Sequence, residues 1–250
     1  MGKNRTRKIM RAFWDDKARE NATYYISSYR AFDEQDPEQF WKWGQKLAGQ
    51  FLAESGLAFG GQETMLEIGC GIGRMTAFFA KQFRAVHGLD VSPEMISQAE
   101  KNLAGFDNVT LHVGNGYDLG GLDDQGFDFV FSYIVFQHIP DPGITARYIE
   151  ETGRVLKAGG CFYFQVNNSK LNWRTRLRLG TRLRSLMKSL GLVSKKDVSE
   201  AGPTDLDNPA WRGSRMSVTQ VKEACAAGGL DITRLMGEGS QYMWVKAEKK

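Results

Sequence analysis

Cysteine is scarce in this chain: its three copies, Cys70, Cys161 and Cys225, lie far apart, each in an apolar or small-residue stretch. An odd, scattered set makes neither a disulfide framework nor a metal cluster, so no metal site is expected, and Cys70 reads as a small buried filler rather than a nucleophile. Long apolar runs are missing too. No stretch approaches a bilayer span, and Met1-Gly2-Lys3-Asn4-Arg5 leads into charged sequence with no apolar signal region, so a cytoplasmic location is expected. No internal repeat is visible. What is present is 250 residues with 42% hydrophobic content, enough for one α/β domain with additions around a substantial core.

The net charge of +4 is modest and unevenly placed. Between Lys170 and Lys196 stand nine basic residues and no acid, so the remainder of the chain is net acidic. Basic character is therefore a property of one surface. At 100° per residue, Leu179, Leu183, Leu186, Met187 and Leu190 share an arc, with Arg174, Arg178, Arg182 and Lys188 largely opposite. Such a segment suits an anionic membrane surface, a phosphorylated or lipid-linked acceptor, or nucleic acid; it suits equally a cap helix with a solvated basic face.

The most informative stretch is Leu66-Glu67-Ile68-Gly69-Cys70-Gly71-Ile72-Gly73-Arg74-Met75. An apolar strand runs through an acid into three alternating glycines and then into a helical pattern, which marks the first βα turn of a nucleotide-type site. Glycine permits φ > 0 and lets a ligand lie on the main chain, with free amide N–H groups of the helix start expected to face it. The third glycine comes two places after the second, not three as in the dinucleotide fingerprint, which favours another cofactor. A second strand, ending His87-Gly88-Leu89-Asp90, places an acid at its carboxyl end, where open α/β sheets bind ligands. Ser92 and Pro93 then open a helix as cap and first turn.

With these motifs in place the chain resembles the class I S-adenosylmethionine-dependent methyltransferases, from about Trp14 to Lys246. The resemblance implies that Glu67, Gly69, Gly71 and Gly73 serve the methionine end of S-adenosylmethionine and Asp90 its ribose. It also implies a Rossmann-like, seven-stranded, mostly parallel α/β sheet with the last strand antiparallel. The residues agree. Strands read as 65–69, 84–90, 108–113, 127–133 and 160–166, and helices as 8–22, 37–54, 75–82, 93–103 and 144–156. Ser217 caps a helix to Ala227, and strands 230–236 and 242–247 flank the turn Gly237-Glu238-Gly239-Ser240. Residues 1–60 are expected to form a helical N-terminal lid and 61–250 the methyltransferase domain, with a cap insertion over 167–215.

Further site residues follow from the resemblance. After the third strand, Asn115 stands where the family usually has an acid facing the adenine amino group, and the Gly116 N–H can serve the ring. The alternative makes Asn115 a turn residue and brings in Asp118. Met95 covers the adenine face or is plain core. The fourth strand ends at Ser132 and Tyr133, expected as cavity walls, and continues into Gln137-His138-Ile139-Pro140-Asp141, similar to small-molecule and sugar-pathway members. His138 is the candidate general base for a hydroxyl acceptor; otherwise it packs beneath this loop. Trp14 and the pair Tyr24-Tyr25 match an aromatic leader that folds over the cofactor, with Tyr25 a cofactor contact; the same rings also suit a simple anchor to the sheet.

The implied activity is methyl transfer to a small-molecule, sugar or lipid-linked acceptor. RNA methylation stands against it as the alternative, disfavoured by the modest charge and by Ser132-Tyr133-Ile134-Val135 in place of an N-P-P-Y tetrapeptide. A non-catalytic cofactor-binding module is the third reading. The sequence does not bear on the oligomeric state.

Overall fold

In the computed structural model, which describes residues 3–27, 36–170 and 207–250, seven strands form one sheet. They are β1 (Thr64–Ile68), β2 (Ala85–Asp90), β3 (Val109–Val113), β4 (Phe127–Ser132), β5 (Leu156–Val166), β6 (Leu230–Met236) and β7 (Met243–Lys249), in the order β3-β2-β1-β4-β5-β7-β6. The first five run parallel, and β7 is antiparallel to both β5 and β6. This is the expected architecture. The order reverses between β1 and β4, so a crevice opens at their carboxyl ends, the place where such sheets take a ligand. Strand β5 begins at Leu156, earlier than the Gly160 expected, because residue 156 already pairs with Phe127 of β4.

Local chemistry sets the helix starts. Helix α2 (Pro37–Glu54) is capped by Asp36, α4 (Pro93–Asn102) by Ser92, and α5 (Pro142–Val155) by Asp141, two residues before the expected start at Ile144. Each places proline in the first turn, where a missing N–H costs nothing. Short helices α3 (Thr76–Phe79) and α6 (Pro209–Arg212) follow β1 and precede α7 (Val218–Ala227), which carries a Ser217/Gln220 capping box. Helix α1 (Lys3–Ile26) starts earlier than expected and breaks at Asn21, whose side chain accepts from the Tyr24 N–H and the Thr23 hydroxyl.

Both sheet faces are covered. On one, Met10 and Phe13 of α1 join Ile144 and Ile149 of α5 and Val221 and Cys225 of α7 against Leu66, Val130, Phe162 and Phe164. On the other, Ala48 and Phe51 of α2 and Phe79 of α3 pack on Met65, Phe129, Phe131 and Tyr163. Alternate residues of β5 serve the two faces, as the period-2 pleat requires. No described helix is long and apolar enough to cross a membrane. The basic amphipathic stretch expected between 170 and 196 lies, beyond Lys170, outside the described residues.

Candidate functional site

A pocket lies at the β1/β4 crevice. Its walls include Glu67, Ile68, Gly69, Cys70 and Gly71 from the glycine turn, Asp90 and Val91 after β2, Met95 of α4, Gly116, and Tyr133 to Phe136 after β4. Helix α1 closes it with Met10, Trp14, Tyr25 and Ile26, and His138 and Tyr148 complete it. The polar chain of α1 explains its seat: Arg7 Nε donates to the Asn115 carbonyl (2.8 Å) and Arg11 Nη2 to the Gly114 carbonyl (2.8 Å). Asp15 Oδ1 accepts from the Ser92 hydroxyl (2.6 Å) and the Glu94 N–H (3.1 Å), so α1 adds a second cap to α4. The leader is bound to the loops that bound the pocket.

The glycine turn is built as its spacing requires, with Gly69, Gly71 and Gly73 all at positive φ. A Cβ on Gly69 would collide with the Val135 side chain, so the close approach of the β4 loop also demands glycine there. Four amides of the turn are engaged within the fold: Gly69 N–H and Cys70 N–H both donate to the Leu89 carbonyl (2.6 and 3.1 Å), Gly73 N–H to the Cys70 carbonyl, and Gly71 N–H to Asp90 Oδ2 (3.0 Å). The parallel β1–β2 pairing carries on past the strand ends and consumes them.

Two acids stand in the pocket in unlike states. Glu67 is 5% exposed, accepts from the Thr76 hydroxyl (2.6 Å), and burial pushes it up to about 8 despite the nearby Arg74 charge. Asp90 is raised less, to about 6; burial lifts it, while the N–H groups of Ser92 and Gly71 favour its ionised form. Cys70 is buried and held neutral by burial, then by the two acids. Among the described residues no cluster of three or more His, Cys, Asp or Glu side chains can hold a metal ion.

At the other end, His138 Nδ1 lies 2.6 Å from the Trp211 carbonyl. A carbonyl only accepts, so Nδ1 carries the proton and Nε2 keeps its lone pair, facing Gln137 Nε2 at 3.3 Å. Burial lowers the His138 pKa, keeping the ring neutral at neutral pH. Its ring is flanked by Trp14 (5.5 Å between centroids) and Trp211 (5.1 Å), and Tyr25 meets Trp211 edge-on at 5.7 Å. Gln165, 0% exposed, accepts from the Ile134 N–H (3.1 Å) and donates to Gln137 Oε1 (3.2 Å) and the Gln241 carbonyl (2.6 Å). It holds Ile134 at φ +54, a strained conformation for a β-branched residue.

Of the residues expected from sequence, Glu67, Gly69, Gly71, Asp90, Met95, Gly116, His138 and Tyr25 come together around one pocket. Three do not line it. Gly73 faces Leu103, which caps the end of α4, and Ser132 is buried with its hydroxyl donating to the Ile68 carbonyl, tying β4 to β1. Asn115 accepts from the Tyr117 and Asp118 N–H groups and donates to Asp118, which is the turn arrangement. Arg74, Tyr148, Gln165 and Trp211 were not anticipated. Arg74 directly follows the last glycine, a positional signal; nothing in sequence ties Trp211 to His138 across 73 residues.

The fold and pocket meet a direct match: residues 66–164 fit the family described as "Methyltransferase domain". Residues 66–164 thus match a methyltransferase domain, on a fold shared with an S-adenosylmethionine-dependent methyltransferase of known structure from Aquifex aeolicus. It is 39% identical over 93 residues to an uncharacterized RNA methyltransferase of Halalkalibacterium halodurans, covering 36% of this chain and 19% of that one. A demethylmenaquinone methyltransferase of Tropheryma whipplei is 32% identical over 98 residues, 39% of either chain. The chain thus spans well under half the length of these two relatives. Among solved structures, phosphoethanolamine N-methyltransferase 1 of Haemonchus contortus superposes with a TM-score of 0.66 at 17% identity, over all of this chain and half of that one, a likeness of fold.

The pocket fits the domain's cofactor. It offers a buried acid at the end of β2, a glycine turn open to a ligand on one side, and in Arg74 a buried cation whose Nε and Nη1 have no partner. S-adenosylmethionine is a diol, a zwitterion and a sulfonium in one molecule, and these groups answer each of those features.

Proposed function

We propose that this protein transfers a methyl group from S-adenosylmethionine to a small-molecule acceptor with a hydroxyl or amine nucleophile. The observation that carries the reading is a pocket joining Glu67 and Asp90 at one end to a neutral His138 at the other, its Nε2 lone pair engaged by the Gln137 amide. Bound there, the cofactor supplies a methyl already activated on sulfur. The protein's part is to bind, orient and exclude water. Asp90 accepts the ribose hydroxyls, Glu67 and the turn at Gly69 and Gly71 receive the methionine end, and Met95 and Gly116 contact the adenine. Trp14 and Tyr25 wall the acceptor side, backed by Trp211, with residues 1–60 as its lid. His138 Nε2 takes the acceptor's proton as the nucleophile forms its new bond, leaving Gln137 to rotate away, while the Trp211 carbonyl stabilises the imidazolium through Nδ1–H.

Calorimetry with S-adenosylhomocysteine tests the cofactor half: wild-type protein binds, and Asp90→Ala weakens binding by about a hundredfold. Absence of binding to wild-type protein refutes it. A panel of hydroxyl and amine acceptors screened for S-adenosylhomocysteine release tests the rest. The RNA reading is favoured by the nine basic residues between 170 and 196 and by the RNA methyltransferase relative, whose match covers only a fifth of its length. Salt-sensitive RNA binding lost on neutralising Arg174, Arg178 and Arg182 would replace the small-molecule reading; the same residues on anionic vesicles test a lipid-linked acceptor.

A further inference from the structure

Arg74 is the one buried side chain of the pocket whose charge is left unanswered among the described residues. It is 5% exposed, yet Nε and Nη1 have no hydrogen-bond partner. No described acid forms an ion pair with it, although Glu67 is close enough to act on it through space. A guanidinium cannot shed its proton to relieve burial, so an uncompensated one is retained only against a cost. Its position is imposed from two sides. The head lies over the Phe40 ring, 5.0 Å from the centroid, and the aliphatic stem packs against Gly44 of α2, where any Cβ would overlap it. Helix α2 thus aims the planar donor fork into the pocket beside Glu67 and Tyr133.

The glycine amides of the turn do not supply what Arg74 offers. In a glycine turn with open amides, a carboxylate would be received by N–H groups. Here those of Gly69, Cys70, Gly71 and Gly73 already donate to Leu89, Asp90 and Cys70. We infer that Arg74 is the anion-binding group of this pocket, taking a carboxylate on its Nε and Nη edge, with the carboxylate of the cofactor's methionine end as the ligand. Glu67, near Arg74 but not paired to it, is then left for the cationic ammonium of the same end. The assignment rests on the methyl-transfer reading for the ligand's identity. It rests on geometry alone for the presence of an anion site.

The test compares wild type, Arg74→Met and Arg74→Lys in the full chain by calorimetry. The ligands are S-adenosylhomocysteine and its decarboxylated analogue, which keeps sulfur and ammonium. Arg74→Met is expected to weaken S-adenosylhomocysteine about a hundredfold, Arg74→Lys to recover part of that, and the analogue to bind all three alike. A second arm titrates the S-adenosylhomocysteine-loaded protein with inorganic phosphate and with acetate. If cofactor binding ignores Arg74 while one of these anions binds in an Arg74-dependent way, the site stands and its anion comes from the acceptor. If neither ligand depends on Arg74, the inference is wrong. Should wild-type protein fail to bind S-adenosylhomocysteine, the methyl-transfer reading falls, and the anion titration of the unloaded protein still decides on Arg74. A structural role is separated by melting: without ligand, Arg74→Met should melt no lower than wild type, because it removes a buried unpaired charge, and a lower melting point counts against the assignment.

Discussion

Glu67→Gln should flatten the pH dependence of stability just above neutrality. Glu67 is raised from 4.5 to about 8 in the fold, chiefly by burial. An unfolded chain has it ionised at pH 7, the folded one protonated, so the folded state holds the extra proton and stability falls as pH rises through the folded pKa. Integrating that linkage from pH 7 to pH 8 gives a loss of about 1 kcal/mol from this group alone. The interval is chosen for what else titrates. His87, His112 and His138 all have pKa values lowered by burial, while the unfolded chain keeps each about a quarter protonated at pH 7, so together they add an opposite gain of about 0.4 kcal/mol over this interval that wild type and variant share. The buried thiols of Cys70, Cys161 and Cys225 are held neutral and add a smaller loss of the same sign, shared by wild type and variant. The difference between the two slopes therefore isolates Glu67. Melting followed at pH 7 and pH 8 in the absence of ligand should show wild type losing about 2–4 °C more than Glu67→Gln. Equal slopes, or a wild-type protein that gains stability over this interval, would refute a buried protonated Glu67.

Other outcomes follow from the same geometry. Gly44→Ala places a methyl against the Arg74 stem and should weaken S-adenosylhomocysteine at least tenfold while the decarboxylated analogue is unaffected; unchanged affinity would show that α2 does not aim Arg74. His138→Gln, assayed with an acceptor found by product release, should lower kcat by about 10²–10⁴ with cofactor affinity unchanged, and wild-type kcat/KM should rise to a plateau below neutral pH. Unaltered kcat would return His138 to a packing role. Gln165→Leu strands the Ile134 N–H, Gln137 Oε1 and the Gln241 carbonyl together, and denaturant unfolding should register a loss of about 2–4 kcal/mol. A loss under about 0.5 kcal/mol would mean that this network does not hold Ile134 in place.

Where the sequence could be read, a local rule was at work. Strand–helix alternation points to the sheet, and Ser92-Pro93 and Ser217 mark helix starts that the structure reproduces. The glycines and Asp90 signalled the β1–β2 end of the pocket, because turn conformation and strand termini are encoded within a few residues. Asp141 and Pro142 carry the same start signal for α5 as Ser92 and Pro93 do for α4, whereas apolar periodicity alone points to Ile144. What could not be read are meetings between distant segments. Trp211 fixes the His138 tautomer across 73 positions, and Gln165 reaches Ile134 across 31. The Leu89 carbonyl that takes the Gly69 and Cys70 amides belongs to the neighbouring strand, beyond the reach of the motif alone.

These distant meetings give the pocket its electrostatic character. Glu67 and Arg74 lie seven residues apart in sequence, both buried, and the fold brings them near without letting them pair. Had they paired, each charge would have been answered from within and the pocket left with little to offer a zwitterion. Kept apart by the Thr76 hydroxyl on one and by Phe40 and Gly44 on the other, both are left dependent on a ligand. An acid held protonated and a cation held unpartnered are each destabilising in the unliganded protein, and a zwitterionic ligand relieves both together. Binding of S-adenosylhomocysteine should therefore take up or release protons according to pH: near pH 7, Glu67 ionises against the incoming ammonium and a proton is released. Calorimetry in two buffers of different ionisation enthalpy measures that proton directly. A ligand-linked release near pH 7 that disappears in Glu67→Gln ties the pocket's unpaired charges to recognition of the methionine end, and its persistence in that variant would assign the proton elsewhere.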